Sequence, residues 1–172
     1  MKALLLAGGM GTRLSEETDL IPKPMVEIGG SPIIMHIMRH YAHHGFNEFV
    51  IALGYKGDLI KRYMLEIHSM NHPVLTIEME SGNVDVDGQA PHLDWKVQLV
   101  DTGLQTMTAG RIRRALPIVG DETFMMTYGD GISDVDLQSL LDYHRSHGKI
   151  ATLTIVRPKS LFGHMVFDGD RI

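Results

Sequence analysis

Residues 3–14 read ALLLAGGMGTRL and carry the strongest indication of the fold. The first five of them are apolar and end at Gly8, as expected of a short strand buried on both faces of a parallel sheet. In open α/β sheets ligands bind beyond the carboxyl ends of the strands, where a glycine-rich loop lets backbone N–H groups approach phosphate oxygens. The stretch therefore predicts a buried first strand that leads directly into a phosphate-binding loop.

This loop fits neither of the two common nucleotide-binding motifs. Gly9-Met10-Gly11 begins like the dinucleotide fingerprint, but Leu14 stands where the third glycine is needed, and no Lys-Ser or Lys-Thr pair makes a Walker loop. Thr12 and Arg13 instead place a hydroxyl donor and a permanent cation inside the loop, and both can bind a triphosphate. For the glycines alone, a tight strand-to-helix turn with a solvated arginine explains the pattern equally well.

Two further motifs carry charged side chains. Lys23 lies between Pro22 and Pro24, which predicts a rigid extended segment that fixes the direction of the lysine. Asp130 is flanked by glycines directly after a predicted strand, again at a carboxyl end. Mg²⁺ prefers one or two carboxylates together with phosphate oxygens and water, so Asp130 is the candidate magnesium ligand. Taken alone, a surface lysine in a proline turn and an ordinary Asp-Gly turn explain these motifs as well.

Strand-like and helix-like stretches alternate along the chain. The predicted strands are 3–7, 49–53, 74–79, 97–100, 123–127 and 150–156. The predicted helices are 32–44 with Ser31 as N-cap, 58–67, 109–119 with Thr108 as N-cap, and a helix from Asp134 or Asp136 to 144. The periodicity fails over 80–93, which predicts a peripheral excursion such as a hairpin. The pattern predicts a single α/β domain over 1–172, a Rossmann-like three-layer α/β/α arrangement around a mainly parallel, mixed sheet.

The composition excludes several classes of protein. The chain has 172 residues, of which 44% are hydrophobic and 22% charged, as in ordinary globular domains. A net charge of −5 with scattered charges argues against nucleic acid as a partner. The absence of cysteine excludes disulfides, thiolate metal sites and cysteine nucleophiles. The apolar start breaks at Gly8, and no stretch approaches the roughly 18 apolar residues of a membrane span, so we expect a soluble, cytoplasmic protein without an export signal.

Histidine is frequent in the first predicted helix, where His36, His40 and His44 are spaced by four residues. At about 100° per residue these side chains form a stripe displaced from the apolar face, so we expect a solvated polar face rather than a metal site. No HExxH pattern accompanies them. Trp95 and His92, near the predicted excursion, are candidates for a contact between subunits.

The motifs together are more specific than any one of them. They comprise LAGGMGTRL at 6–14, SEET at 15–18, PKPMVEIGG at 22–30, GYKG at 54–57, VDTG at 100–103, Gly110-Arg111, and TYGDG at 127–131. This set resembles the sugar-phosphate nucleotidyltransferase family over the whole chain, and within it the members that use CTP and glucose 1-phosphate. The resemblance implies formation of CDP-glucose and pyrophosphate with Mg²⁺ as cofactor, a role in making dideoxy sugars of bacterial surface polysaccharide, and a homo-oligomer.

The resemblance also implies roles for individual residues. Backbone groups of Leu6, Ala7, Gly8, Gly9 and Met10 would hold the nucleotide, and Gly11, Thr12 and Arg13 its phosphates. Lys23 would lie at the reacting phosphate, so Arg13 and Lys23 are the candidate catalytic residues. Thr106 and Arg111 would contribute to the nucleotide pocket, Gly129 would offer a backbone contact, Asp130 would bind Mg²⁺, and Gly163 would lie near the sugar.

Two features depart from the pattern of the family. Ala109 stands where the family usually has glycine, which matters only if the position needs a positive φ. The family also uses a lysine in a Glu-Lys-Pro motif and a second metal-binding aspartate, which would lie beyond Ile172. A hairpin predicted over 165–172 breaks off in its second strand. We therefore expect the chain to be the N-terminal two thirds of an enzyme.

Two other functional classes compete with this interpretation. A nicotinamide-dependent oxidoreductase would need an acidic residue at the end of the second strand for the ribose, and Leu53-Gly54-Tyr55 occupies that place. A nucleotide-binding domain without catalytic activity is the other alternative.

Overall fold

The structure is a computed structural model, and it describes residues 1–9, 21–70, 72–88 and 93–156. Its strands are β1 (Lys2–Leu6), β2 (Glu27–Ile28), β3 (Ser31–Pro32), β4 (Glu48–Leu53), β5 (Val74–Ile77), β6 (Val84–Asp87), β7 (Lys96–Asp101) and β8 (Met125–Tyr128). Its helices are α1 (Ile33–His43), α2 (Gly57–Met70), α3 (Thr108–Val119) and α4 (Leu137–His147), and Lys23–Met25 forms a 3-10 turn. Contacts divide the chain into a large unit, Met1–Leu137, and a small unit, Gln138–Ile172.

The centre of the large unit is a four-stranded sheet in the order β7-β4-β1-β8. All three pairings are parallel, and Leu5 of β1 lies between Ile51 of β4 and Thr127 of β8. In chain order this is the 3-2-1-4 arrangement of doubly wound α/β folds, in which the strand order reverses beside the first strand. The predicted α/β class and the mainly parallel sheet are confirmed, and ligands are expected at the carboxyl edge beside β1.

Both faces of the sheet are covered, which explains why the apolar runs are uninterrupted rather than alternating. On one face Leu4, Leu6, Val50 and Ala52 pack with Ala115 and Val119 of α3. The opposite face carries Leu5 and Thr127, and the Tyr41 hydroxyl of α1 shares a hydrogen bond with the Thr127 side chain. Helices α1 and α3 therefore lie on opposite faces of the sheet, as the predicted three-layer arrangement requires.

Residues 74–79 are not part of this sheet, contrary to the prediction. Strand β5 pairs antiparallel with β6, and the hairpin forms a separate two-stranded sheet with most of its side chains exposed. Its turn is closed by hydrogen bonds from Gly82 N to Glu78 O and from Glu78 N to Asn83 O. The excursion thus begins at Val74, and the next strand of the main sheet is β7.

Both predicted N-caps are wrong. Helix α1 begins after Pro32 and α3 after Met107, and neither N-cap makes a side-chain hydrogen bond. Ser31 instead pairs in a short strand with Ile28, and its hydroxyl accepts a hydrogen bond from Arg39 Nη1 at 3.1 Å. The serine hydroxyl is bonded by a side chain from the second turn of the helix, and Pro32 occupies the N-cap position in its place.

The small unit also differs from the prediction, because residues 151–156 form no strand. The Thr152 hydroxyl lies 2.8 Å from both His144 Nδ1 and His147 Nε2, so the segment folds back on α4. A β-branched run forms a strand only with a pairing partner, and the part of the chain that the structure describes offers it none. The predicted hairpin at 165–172 lies outside the described residues. Among the described residues, no helix is both long and apolar enough to cross a bilayer.

One arginine of α3 ties the carboxyl ends of the strands together. The Arg111 guanidinium, 5% exposed, donates from Nη1 to Leu53 O at 3.0 Å, to Thr102 Oγ1 at 2.8 Å and to Gly103 O at 2.9 Å. Its Nη2 donates to Leu104 O at 3.1 Å. Leu53 ends β4 and the other acceptors follow β7, so a single side chain fixes the spacing of two strand ends.

The same guanidinium lies against two glycines. A Cβ at Gly8, after β1, would be 2.3 Å from Arg111 Nη1, and a Cβ at Gly54, after β4, would be equally close. The position at Gly54 would also be 2.6 Å from Gly8 O. Neither glycine has a positive φ, so both are needed for space and not for backbone freedom. The region where the segments after β1 and β4 meet Arg111 is therefore closely packed.

This packing predicts a difference between two glycine-to-alanine variants. Gly54→Ala would force apart a bonded guanidinium and a backbone carbonyl, so it should lower the free energy of unfolding by about 1–3 kcal/mol. Gly9→Ala is the matched control, because no atom of the described residues lies within 4 Å of its Cβ position, and it should change stability by less than about 0.5 kcal/mol. Urea unfolding of the two variants measures the difference, and equal stabilities would contradict the packing described.

Candidate active site

The predicted motifs meet at the carboxyl edge of the sheet. Backbone hydrogen bonds join the segments that leave the strands: Gly129 N donates to Leu6 O at 2.9 Å, Tyr55 N to Gly8 O at 3.2 Å, and Thr102 N to Leu53 O at 3.0 Å. In each bond the donor follows one strand of the sheet, and the acceptor ends or follows the neighbouring strand. Residues from four places in the sequence thus line one edge, as the positions of the motifs predict.

The two glycines that begin the phosphate loop differ in their surroundings. Gly8 is buried beneath Arg111, whereas Gly9 is exposed, with open space at its Cβ position. A glycine without neighbours at the carboxyl edge is suited to a close approach by a ligand. Met10, Gly11, Thr12 and Arg13 lie outside the described residues, so their predicted contacts with phosphates stay predictions.

Arg111 is buried against Gly8 and Gly54, the glycines that follow β1 and β4. Burial lowers the pKa of Arg111 from its usual value, the neighbouring Arg114 lowers it further, and Asp101 opposes the shift. The acceptors bonded to its Nη atoms are three backbone carbonyl oxygens and the Thr102 hydroxyl. These bonds fix the spacing of the segments that follow β4 and β7, and the predicted direct contact of Arg111 with a nucleotide stays a prediction.

Thr106 is tied to the same region through a second arginine. Arg114 Nη1 donates to Thr106 Oγ1 and to Thr102 O, both at 2.6 Å. Gly103 has a φ of +83°, and a Cβ there would lie 2.6 Å from Arg114 Nη1, so this turn needs glycine for both conformation and space. Asp101 Oδ1 accepts from Gly103 N at 2.9 Å and tightens the turn. Thr106 therefore lies at the wall formed by the segment after β7.

Lys23 is brought to the carboxyl edge through its neighbour Pro24. A Cβ at Gly129 would lie 3.3 Å from Pro24 Cγ and from Ala7 Cβ, so the 3-10 turn of Lys23 packs against the segments that follow β1 and β8. The predicted extended segment is wrong beyond Pro22, because Val26 N bonds to Lys23 O and closes a turn. Lys23 is half-buried.

Asp130 follows Gly129 and is exposed at the same edge. Among the described residues no group of three or more His, Cys, Asp or Glu side chains could hold a metal ion. A single exposed carboxylate does not bind Mg²⁺ by itself, but it fits an ion whose other ligands are phosphate oxygens and water. The donor set thus suits a metal that arrives with a phosphorylated substrate.

The histidines of α1 are not a solvated face, contrary to the prediction. His36 Nε2 lies 2.8 Å from Ile28 O, His40 Nε2 lies 2.9 Å from Val135 O, and His44 Nδ1 lies 3.7 Å from an oxygen of Asp136. The three side chains are half-buried. They connect α1 to the segments that follow Lys23 and Asp130.

Sequence reasoning missed several residues that shape this edge. It named Arg111 and Gly8 but gave no role to Gly54, Thr102 or the carbonyl of Leu53. A backbone carbonyl leaves no mark in the sequence, but Gly54 directly after a buried strand repeats the pattern of Gly8 and could have been recognised. Trp95 packs edge-on against Phe49, with ring centroids 5.5 Å apart, so a contact within the chain accounts for it.

Three further residues singled out in the sequence are Ala109, Gly163 and His92. Ala109 lies inside α3, and among the described residues Lys56 alone combines a side chain with a positive φ, so the departure at Ala109 carries no conformational cost. Gly163 and His92 lie outside the described residues.

Comparison with known proteins agrees with this arrangement. The nucleotidyl transferase family profile matches residues 2–172. A probable glucose-1-phosphate cytidylyltransferase of Bacillus subtilis is 47% identical over 98% of this chain and 66% of its own length. The glucose-1-phosphate cytidylyltransferase of Salmonella typhi is 48% identical over 100% of this chain and 66% of its own length. The chain thus spans about two thirds of the length of these curated relatives.

A solved structure supports the same assignment. The crystal structure of HddC from Yersinia pseudotuberculosis complexed with GMP-PN superposes with a TM-score of 0.61 at 25% identity, covering 83% of this chain and 53% of that one. The family match extends over residues 2–172, which is nearly the whole chain. On these grounds the chain belongs to the nucleotidyl transferase family.

Proposed function

We propose that the full-length protein transfers a cytidylyl group from CTP to glucose 1-phosphate and releases pyrophosphate. The observation that carries the proposal is the likeness, at 47–48% identity, to two proteins named for this activity. The convergence of Gly9, Lys23 and Asp130 on one edge of the sheet supports it further, because each suits a nucleoside triphosphate.

The reaction is an in-line substitution at phosphorus. An oxygen of the sugar phosphate forms a bond to the α-phosphorus of CTP, and the bond from that phosphorus to the oxygen bridging to the β-phosphate breaks as pyrophosphate leaves. The attacking phosphate is already ionised near neutral pH, so the step needs neither a protein nucleophile nor a general base. The enzyme contributes alignment and stabilisation of charge.

Each candidate residue has a distinct task in this scheme. Lys23 offsets the repulsion between two anionic reactants, and its half-buried position strengthens that interaction relative to water. Arg13 stabilises charge on the leaving pyrophosphate. Asp130 holds Mg²⁺, which when bound supplies charge neutralisation between phosphate oxygens. Arg111 and Arg114 fix the wall where Thr106 lies, so that the nucleotide meets a preformed surface.

The same proposal extends to the setting of the enzyme. A nucleoside triphosphate as substrate is consistent with a cytoplasmic location, and CDP-glucose with a role in making dideoxy sugars of surface polysaccharide. A homo-oligomer remains part of the proposal.

A second candidate is another nucleotide specificity. The structure of HddC was solved with GMP-PN, and it shares this fold at 25% identity. A sugar-1-phosphate nucleotidyltransferase that uses GTP, UTP or dTTP is therefore the alternative.

Pyrophosphate release from each of CTP, UTP, dTTP and GTP with glucose 1-phosphate decides between these candidates. We expect kcat/KM for CTP to exceed that of the others by about 10²-fold, since a site that hydrogen-bonds the correct base leaves polar groups unpaired with the wrong one. A preference for another nucleotide would overturn the cytidylyl specificity. Calorimetric binding of CTP without pyrophosphate release would instead indicate a binding domain without activity.

The charged residues are tested in the full-length protein by Arg13→Ala and Lys23→Met. Each should lower kcat/KM by about 10²-fold or more, because a preorganised charge contact to the reacting phosphates is lost. Lys61→Met is the matched control, since Lys61 is exposed on α2. Turnover near that of the wild type in both Arg13→Ala and Lys23→Met would contradict their assignment.

A further inference from the structure

Helix α1 contacts both segments that carry the candidate side chains. On one side it packs against the 3-10 turn of Lys23, and Ile33 N donates to Val26 O at 2.9 Å. On the other side it reaches β8 and the loop 131–136, which has no regular secondary structure. The histidines of α1 make these connections at successive turns of the helix.

The contact of His40 fixes the loop that leaves Asp130. His40 Nε2 lies 2.9 Å from Val135 O. Because a carbonyl oxygen only accepts, Nε2 carries the hydrogen and donates it. One turn further on, His44 Nδ1 lies 3.7 Å from Asp136 Oδ1, and the rings of His40 and His44 are in edge contact at 5.0 Å.

Asp130 is therefore held from both directions in the sequence. Before it, Gly129 N is bonded to Leu6 O, and the side chain of Thr127 shares a hydrogen bond with Tyr41 of α1. After it, the next anchor of this kind is Val135, bonded to His40 of the same helix. The residues in between, 130–134, are exposed. The segment that carries Asp130 is thus fastened to α1 on both sides of the aspartate, at Thr127 and at Val135.

The histidines do not form a metal site of their own. The Nε2 atoms of His36 and His40 are each engaged by a carbonyl oxygen of a different segment. Within the described ranges no three potential ligands come together. Their geometry fits anchoring of two loops and not coordination.

We propose that His40 is a positioning residue for Asp130, which it keeps ready to bind Mg²⁺ by fastening the loop 131–136 to α1. The inference rests on the proposed function, since Asp130 is the candidate metal ligand there. A carboxylate on an ordered loop binds an ion more tightly than one on a free loop, because less conformational entropy is lost on binding. Loss of the anchor should therefore weaken metal binding and leave chemistry at saturating metal nearly unchanged.

The test compares three variants of the full-length protein. His40→Phe keeps a ring of similar size but removes the donor. His40→Gln restores a donor at the position of Nε2. His36→Phe removes the same kind of bond at 2.8 Å on the same helix, but from the segment that follows Lys23, and so serves as the matched control for metal affinity.

Three quantities are measured in each variant. They are amide hydrogen exchange over 131–136, the affinity for Mn²⁺ in the presence of CTP by electron paramagnetic resonance, and the Mg²⁺ concentration at half-maximal activity together with kcat at saturation. For His40→Phe we expect faster amide exchange over 131–136. We also expect the dissociation constant for Mn²⁺ and the Mg²⁺ concentration at half-maximal activity to rise about fivefold, which is the size of effect that one net hydrogen bond gives. In His40→Gln we expect recovery of most of the affinity, and in His36→Phe no change in it.

The role of His40 can fail while the metal site and the proposed function stand. Unchanged Mn²⁺ affinity in His40→Phe would overturn the role of His40, whether or not exchange in the loop becomes faster. Equal losses of affinity in His40→Phe and His36→Phe would overturn it too, because they would indicate general destabilisation. If the wild-type protein binds CTP but no Mn²⁺ with it, both the metal site and the role of His40 fail, whereas failure to bind CTP would reject the proposed function itself.

Discussion

The bonds of one buried guanidinium determine where the walls of the candidate site stand. Arg111 reaches from α3 to the end of β4 and to the turn after β7, and it lies against the glycines that follow β1 and β4. A charged group is costly to bury unless its donors are satisfied, and here backbone carbonyls and a threonine hydroxyl satisfy them. Because those carbonyls belong to strand ends that would otherwise face water, the arginine and the strand ends stabilise each other.

Helix α1 complements this arrangement on the opposite face of the sheet. Where α3 holds the edge together at β4 and β7, α1 holds the two segments that carry Lys23 and Asp130. The two charged side chains come from places far apart in the sequence, and neither lies on a strand or a long helix. Their relative position is set by contacts with a common helix, which is a more rigid support than a loop could provide by itself.

The sequence predicted those parts of the fold whose residues are buried in a characteristic pattern. The run at 3–7 is apolar throughout because β1 is covered on both faces, and the helical spacing from Ile33 to Tyr41 follows from the buried side of α1. The alternation at 74–79 indicated a strand correctly but gave no information about its partner, so β5 was assigned to the wrong sheet. Ser31 has the chemistry of an N-cap, yet Arg39 occupies its hydroxyl, a contact that depends on the folded helix.

The candidate site was likewise predictable from the sequence only in part. The glycines and charged residues that follow buried strands indicated which segments come together, because parallel strands bring their carboxyl ends to one edge of the sheet. The anchoring histidines were misinterpreted, since their acceptors are carbonyl oxygens of Ile28 and Val135, which any residue could provide. The spacing of the histidines along the sequence therefore does not reveal which distant backbone groups they bond.

Because β1 lies in the middle of the sheet, its two neighbouring strands leave the ribosome at different times. Leu5 pairs with Ile51 on one side and with Thr127 on the other. At about 5–20 residues per second, the ribosome releases β8 on the order of ten seconds after β1. Once β4 has also emerged, the apolar first strand can pair on one edge only, and its other edge stays open until β8 is released. Arg111 also emerges before β8, so the walls around the phosphate loop can close while the strand that precedes Asp130 is still missing.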